Sequence, residues 1–409
     1  MKILLVAGAR PNFVKIAPIL HEMRKHPSLR PTLVHTGQHY DDALSSRFFA
    51  DLDIPEPDVK LDVGSGSHAV QTAEILRRIE PVLDGVRPEL LLVVGDVNST
   101  LASALAAAKL GIRVGHVEAG LRSFDRAMPE EVNRLLVDAI SDLLFLTEVS
   151  AWHNLLREGV ALEKLHLVGN VMIDALQSCR DRWQRSDIGR RLGLAPRQRY
   201  AMLTLHRPSN VDSADSLAAL LRPIAALAHE VPIILPVHPR VRPQMQRRDE
   251  LVWRKTGSTA PMPSTGIVCI EPLGYLDCLA LMSGAALVLT DSGGIQEETT
   301  ILKVPCLTLR DTTERPVTVS HGTNQVIGTD PARIVREGTR ALNSEAAVVA
   351  PPPLWDGRAA ERIVRILLRQ AEGGRTVDDR AAAHAIALAP RPAGAGSHEP
   401  GAPGHGAAA

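Results

Sequence analysis

Short apolar runs alternate with segments of helical period along most of the chain, the pattern of parallel strands buried between layers of helices. In the first half the strand candidates are KILLVAG near residue 2, TLVHTG near 32, ELLLVVGD near 89, IRVGHVE near 112, DLLFLT near 142 and LHLVGN near 165. A second series runs through YAMLTLH at 200, PIILPVH at 232, IVCIEPLG at 267, ALVLTD at 286 and PCLTLRD at 305. Each series suffices for its own sheet. The pattern therefore predicts an α/β chain of two doubly wound, Rossmann-like domains facing across a cleft, 1–178 and 190–373, joined through the polar, Arg-rich SCRDRWQRSDIGRRLGLAPRQR. The stretch 374–409 is rich in Gly, Ala and Pro and holds no aromatic residue, so disorder is expected there.

Composition narrows the class of partner. The 409 residues are 45% hydrophobic and 22% charged, with a formal net charge of zero. No long basic run or aromatic-basic interleaving is present, which argues against nucleic acid or an anionic membrane and for a small ligand. No apolar run approaches the roughly 18 residues of a membrane span, and MKILLVAGARPNF reads as a first strand rather than a signal peptide. Cys179, Cys269, Cys278 and Cys306 lie far apart with no C-x-x-C, as expected for reduced thiols in a cytoplasmic protein.

Doubly wound sheets bind ligands outside the carboxyl ends of their strands, and here those ends are polar. In LTDSGGIQEETTILKVP, the glycines after the strand would let amides at a helix start approach a phosphate at Ser292, Gly293 and Gly294, with a ribose at Glu297 or Glu298. A glycine-assisted turn whose acids complement the helix dipole would look the same. Asp96 and Glu118 end consecutive first-half strands, a placement suited to proton transfer. In MPEEVNRLLVDAISD, Val132, Leu135, Leu136 and Ile140 mark the expected buried face, which leaves Glu130 and Arg134 one turn apart on the exposed face. That pair reads either as a surface ion pair or as a third acid with its cation. Arg10 and Lys15 in GARPNFVK, His206 and Arg207 in TLHRP, and His238 and Arg240 in PVHPR could neutralise a diphosphate. The cysteines form no C-x-x-C pair, and no zinc site is expected.

GARPNFVKIAPI, TGQHYD, GDVNSTLASALAA, HVEAGLRS, MPEEVNR, VGNVMIDAL, TLHRP, SGGIQEE and RDTTERP occur in this order over roughly residues 1 to 370. In these motifs the chain resembles the non-hydrolysing UDP-N-acetylglucosamine 2-epimerases, enzymes of the two-domain GT-B architecture. The resemblance implies a cytoplasmic homodimer that interconverts UDP-N-acetylglucosamine and UDP-N-acetylmannosamine with no metal, nicotinamide or other cofactor. It implies acid/base or catalytic roles for Asp96, Glu118, Glu130 and His206. Substrate contacts would come from Arg10, Lys15, Arg134, His238, Glu271, Ser292, Gly293, Gly294, Glu298 and Arg315, which selects Glu298 over Glu297 for the ribose. The chain departs from the family at Ser209, where many members carry Glu, and at Cys278, near the place of an aromatic that lies against uracil. Of the glutamines that bind an activating second substrate in some members, Gln38 remains. A UDP-sugar glycosyltransferase of the same fold, an epimerase of a related UDP-2-acetamido sugar and a catalytically silent binder are the competing readings.

Overall fold

A computed structural model describes residues 1–37, 49–238, 241–249, 251–258, 260–344 and 350–373, with the side chain of Arg10 left out. Gln38, Arg240 and the 374–409 tail, about which the sequence raised expectations, lie outside the described residues.

Both series of apolar runs form all-parallel sheets of seven strands. The first contains β1 (Lys2–Ala7), β2 (Arg30–His35), β3 (Val59–Lys60), β4 (Leu90–Val94), β5 (Arg113–Ala119), β6 (Leu143–Leu146) and β7 (Leu165–Leu167), in the order β3-β2-β1-β4-β5-β6-β7. The second contains β8 (Ala201–Thr204), β9 (Ile233–Pro236), β10 (Val252–Trp253), β11 (Ile267–Ile270), β12 (Leu287–Thr290), β13 (Cys306–Thr308) and β14 (Asn324–Val326), ordered β10-β11-β9-β8-β12-β13-β14. The orders reverse between β1 and β4 and between β8 and β12, and such switch points open a crevice at the carboxyl ends. The three strands the apolar pattern missed, β3, β10 and β14, are all edges of two or three residues. Edge strands need no continuous apolar run, because one side of each has no neighbouring strand.

The Arg-rich junction is packed rather than extended: it forms the helices Arg180–Gln184 and Ile188–Arg191 and buries Trp183, Ile188 and Leu192. The last described helix, Ala359–Ala371, returns to the first layer. Its first amides, those of Ala359 and Ala360, donate to Asp174 at 3.1 and 2.7 Å, Arg362 donates to the Val168 carbonyl at 3.0 Å, and just upstream Trp355 donates to the Thr147 carbonyl at 2.9 Å. Among the described residues no helix is long and apolar enough to cross a membrane.

Candidate active site

At the first switch point, Gly95 follows β4 with a positive φ of 71°, and a Cβ there would sit 3.3 Å from both Asn12 Nδ2 and Lys15 Nζ. Glycine thus lets the helix Arg10–Met23 bring Lys15 to the strand end. Asp96 comes next, half-buried and paired with Arg134 Nη1, while Asn133 Nδ2 donates to the Asp96 carbonyl at 2.8 Å. Burial opposes ionisation of Asp96, but the charges of Arg134, Lys15 and Arg315 prevail and hold it below the usual carboxylate range.

Register places Val94 beside Val117 on β5, so Glu118 stands next to the Gly95 turn. Glu118 has a φ of 73°, unusual for a residue with a side chain, where the pairing of β5 with β6 slips between Val117 and Ala119. The bulge re-aims the carboxylate into the cleft. There it is buried between Lys15 Nζ, on its own layer, and Arg315 Nη2 of the second layer at 2.7 Å. Beneath both acids lies His116, fully buried, with Nδ1 2.6 Å from Asp138 Oδ1 and Nε2 2.8 Å from the Gly95 carbonyl. Asp138 also accepts from the Gly120 amide at 3.0 Å, so one polar cluster ties the two turns together.

The helix Pro129–Ile140 is oriented opposite to the expectation from its pattern. Val132 and Leu136 are 41% and 48% exposed, while Arg134 is 2% exposed, together with buried Glu131, Asn133 and Asp138. The reversal follows from what the polar face meets. Glu131 accepts from the Ser123 and Phe124 amides at 3.0 and 2.9 Å and from Arg134 Nη2 at 2.6 Å, and Arg134 reaches on to Asp96. Arg134 is therefore a buried site cation rather than half of a surface pair. Glu130, half-buried, faces Arg207 Nη1 of the second layer at 3.3 Å.

At the second switch point the pairing of Thr290 with Thr204 sets Asp291 beside the chain leaving β8. Asp291 is fully buried and accepts from the His206 and Arg207 amides at 3.1 and 3.0 Å and from Asn210 Nδ2 at 3.1 Å. It also lies 2.9 Å from Nδ1 of His206, whose side chain is 43% exposed. Burial raises the energy of its charge, yet the imidazole and these donors hold Asp291 below its ordinary range. With Nδ1–H directed at a carboxylate, Nε2 is the nitrogen available to exchange a proton in the cleft. The ring of His238, exposed beyond β9, lies 6.5 Å from that of His206. Asp291 was visible in sequence only as the acid closing an apolar run.

Ser292 precedes the helix Gly293–Leu302. A Cβ on Gly293 would fall 2.3 Å from Arg315 Nη1 and 2.8 Å from Glu314 Oε1, so in this state the glycine makes room for Arg315. Arg315 is the hub of the site. It donates through Nε to Glu297 at 2.7 Å, through Nη1 to Glu314 and through Nη2 to Glu118. Glu314 also meets Arg310 Nη2 at 2.8 Å, and although burial opposes it, Arg315 and Arg310 hold it far below the usual carboxylate range. Glu314, like Asp291, was not singled out from the sequence.

The two neighbouring glutamates of this helix differ. Glu297 is locked to Arg315, and burial followed by the nearby Glu118 charge raises its pKa despite that cation. Glu298 is also buried but has no cation partner among the described residues. Burial pushes it up to about 8, against the favourable Tyr275 hydroxyl. Of the remaining expected residues, Glu271 stands exposed beyond β11 in a two-pronged pair with Arg242 at 2.8 and 2.9 Å. Gly294 approaches Met172 of the first layer.

The arrangement offers acids of different ionisation around an oriented imidazole, a row of cations and a glycine-bearing helix N-terminus packed against Arg315. Comparison with known proteins agrees with this chemistry. A family model described as UDP-N-acetylglucosamine 2-epimerase matches residues 21–368. The chain is 40% identical over 371 residues to a UDP-N-acetylglucosamine 2-epimerase of Methanococcus maripaludis, covering 90% of this chain and 98% of that protein. It is 38% identical over 373 residues to a UDP-2,3-diacetamido-2,3-dideoxy-D-glucuronate 2-epimerase of Pseudomonas aeruginosa, covering 90% and 100%. The crystal structure of the Methanocaldococcus jannaschii UDP-GlcNAc 2-epimerase in complex with UDP-GlcNAc and UDP superposes with a TM-score of 0.81 at 40% identity, covering 90% of this chain and 99% of that one. Motif order, sheet topology and full-length similarity converge, and the chain belongs to the UDP-N-acetylglucosamine 2-epimerase family.

Proposed function

We infer that this chain inverts C2 of UDP-N-acetylglucosamine to give UDP-N-acetylmannosamine by eliminating UDP to a glycal and adding it back from the other face. The C2 proton is too weakly acidic for easy direct inversion. Elimination needs a carboxylate to take that proton, and re-addition needs a group able to deliver one to the opposite face. Asp96, Glu118 and Glu130 supply the acids and His206, oriented by Asp291, a fourth proton carrier. Lys15, Arg134 and Arg315, with Arg10 and His238, hold the sugar and the departing diphosphate. The amides of Ser292, Gly293 and Gly294 receive the phosphates, and Glu298 accepts from the ribose hydroxyls. Glu271 completes the expected binding set. The observation that carries this reading is that acids, imidazole and cations from both sequence halves meet at the two switch points, joined by Arg315 and Glu118. Incubation with UDP-N-acetylglucosamine in heavy water, without an acceptor, should place deuterium at C2 of both epimers. UDP release with no C2 exchange would replace this reading by transfer or hydrolysis.

The similarity to the diacetamido-glucuronate epimerase favours one alternative, the same C2 chemistry on a sugar with different groups at C3 and C6. Running the exchange assay on both UDP sugars decides between them by kcat/KM. A homodimer is supported by the outward apolar residues of the helix Pro129–Ile140 and by Phe124, 73% exposed in the preceding loop. Light scattering should give twice the chain mass, and Leu136→Glu should halve it. Four free cysteines, with no disulfide among them, support a reducing, cytoplasmic setting.

A further inference from the structure

The head of Arg315 is held by Glu297, Glu314 and Glu118, and its backbone is held as fully by a second network made of neutral side chains. The Arg315 amide donates to Thr313 Oγ1 at 3.1 Å, and the Arg315 carbonyl accepts from Thr318 Oγ1 at 2.8 Å. Neither hydroxyl is left to orient itself. Thr313 donates to Gln296 Oε1 at 2.7 Å, and Thr318 accepts from Asn324 Nδ2 at 3.0 Å. The same Asn324 nitrogen donates to Gln296 Oε1 at 3.0 Å, while Asn324 Oδ1 accepts from Thr308 Oγ1 at 2.6 Å. Gln296 Nε2 donates in turn to the Ser292 carbonyl at 3.2 Å.

The sense of these bonds is forced. The Arg315 carbonyl takes the one proton of Thr318, so the Asn324 group facing that hydroxyl is its NH2, and the Gln296 atom facing the NH2 is its oxygen. The Gln296 NH2 is thereby directed at Ser292. Gln296, Thr308 and Thr318 are fully buried, and Asn324 is 2% exposed. A satisfied polar network at such burial specifies one arrangement, because any lost bond leaves a polar group with no water to replace its partner. Gln296 immediately precedes Glu297 on the helix Gly293–Leu302, and Glu297 takes Arg315 Nε. Consecutive residues of the helix that starts at the Ser292 turn thus hold the backbone and the head of one arginine.

We propose that Gln296 is a positioning residue for the departure and return of UDP: it fixes the Arg315 backbone relative to the turn at Ser292, Gly293 and Gly294, so that cation and phosphate-receiving amides keep one spacing while the nucleotide is detached from the sugar. This role rests on the epimerase activity proposed above. Elimination breaks the C1–O bond and leaves UDP beside the glycal, and re-addition forms that bond again only where the diphosphate has stayed aligned. A loosened Arg315 lets UDP and glycal part before they recombine.

The seating can be tested without substrate. In the unliganded full chain, hydrogen exchange of peptides spanning 312–319 should quicken about five- to tenfold in Gln296→Met and in Thr313→Val, the equivalent of one lost buried hydrogen bond. It should stay near the wild-type rate in Thr313→Ser, which keeps the hydroxyl. Leu217→Ala, which opens the core around the helix Ala214–Leu227, should leave these peptides unchanged. The role in UDP retention is read from the UDP and glycal released per epimer formed from UDP-N-acetylglucosamine, a ratio that the folded fraction does not alter. That ratio should rise about tenfold or more in Gln296→Met and Thr313→Val, but not in Thr313→Ser or Leu217→Ala. Exchange at the wild-type rate in Gln296→Met, or equal quickening in Leu217→Ala, overturns the seating. An unchanged ratio beside quickened exchange overturns the role in retention. A wild type that forms neither epimer nor glycal overturns the epimerase reading and that role with it, and the exchange comparison then still judges the seating by itself.

Discussion

At the carboxyl ends of β4, β5 and β6 the first sheet carries Asp96, Glu118 and Glu148, while at the matching ends of β8 and β12 the second carries His206 and Asp291. The strand orders around the two switch points are the same. The first-layer acids Asp96 and Glu118 are joined to cations that a substrate could displace, Glu118 to one from each layer. Asp291, in contrast, is saturated by amides, Asn210 and the imidazole, so its chemistry passes through His206. One doubly wound plan thus leaves strand-end acids paired with displaceable cations on one side and a saturated acid that orients an imidazole on the other.

The sharpest way to break that comparison is Glu118→Gln. The amide keeps the shape of the carboxylate and one acceptor for Arg315, but it cannot take a proton. A fall in kcat of about 10²- to 10⁴-fold is expected, with the fold retained. Lys15 and Arg315 each lose an anionic partner, so a lower melting temperature should accompany the loss. Thermal melts and C2 exchange on the same preparation separate the two effects. Asp96→Asn should behave alike, and near-normal turnover in both variants would remove these acids from the mechanism.

On the binding side, Glu298→Gln should weaken UDP by about 1.5–3 kcal/mol, since a charge-assisted acceptor for the ribose hydroxyls is lost. Glu297→Gln should cost UDP binding less, because Glu297 faces Arg315 rather than open cleft. The pH dependence carries its own signature. With Glu298 raised to about 8 in the empty site, ribose binding to the ionised form must release a proton below that pH. The affinity gap between wild type and Glu298→Gln should therefore widen as pH rises from 7 to 8 and then level. Calorimetry in two buffers of different ionisation enthalpy reads both the gap and the proton.

How far the site was legible depended on whether a residue's partner was local. Asp96, Glu118 and the SGG turn stand at strand ends, and the sheets announce themselves through apolar runs. The helix Pro129–Ile140 misled for the same reason: its pattern puts Val132 and Leu136 inside, but the buried partners of Arg134 are Asp96 and Glu131, and the former comes from a different strand. A cluster of paired charges can outweigh an apolar stripe when the stripe faces outward. Asp291 was hard to single out because its partners, the His206 and Arg207 amides, Asn210 and the His206 ring, come from a distant segment, whereas Glu314 is held chiefly by its neighbours Arg310 and Arg315 in a loop without an apolar pattern.

The smallest expected effect tests the rim of the binding side. Glu271 was expected among the substrate contacts, yet its carboxylate is held by both Nη atoms of Arg242, which also lies over the Trp253 ring at 5.7 Å. The pair is solvent-exposed, with Arg242 and Glu271 at 40% and 48% side-chain exposure. At such exposure an ion pair contributes about 0.2–1 kcal/mol, screened further by salt. Glu271→Gln should accordingly lower stability by no more than that, and UDP affinity by less than about threefold at physiological salt. Glu271 can reach a ligand only by exchanging one partner for another, which keeps its net contribution small. Adding salt should shrink the stability difference between Glu271→Gln and wild type while leaving the Glu298→Gln deficit in UDP affinity largely intact, because Glu298 is buried. An affinity loss in Glu271→Gln as large as that in Glu298→Gln would move Glu271 from the rim into the nucleotide site and erase the distinction between the two acids.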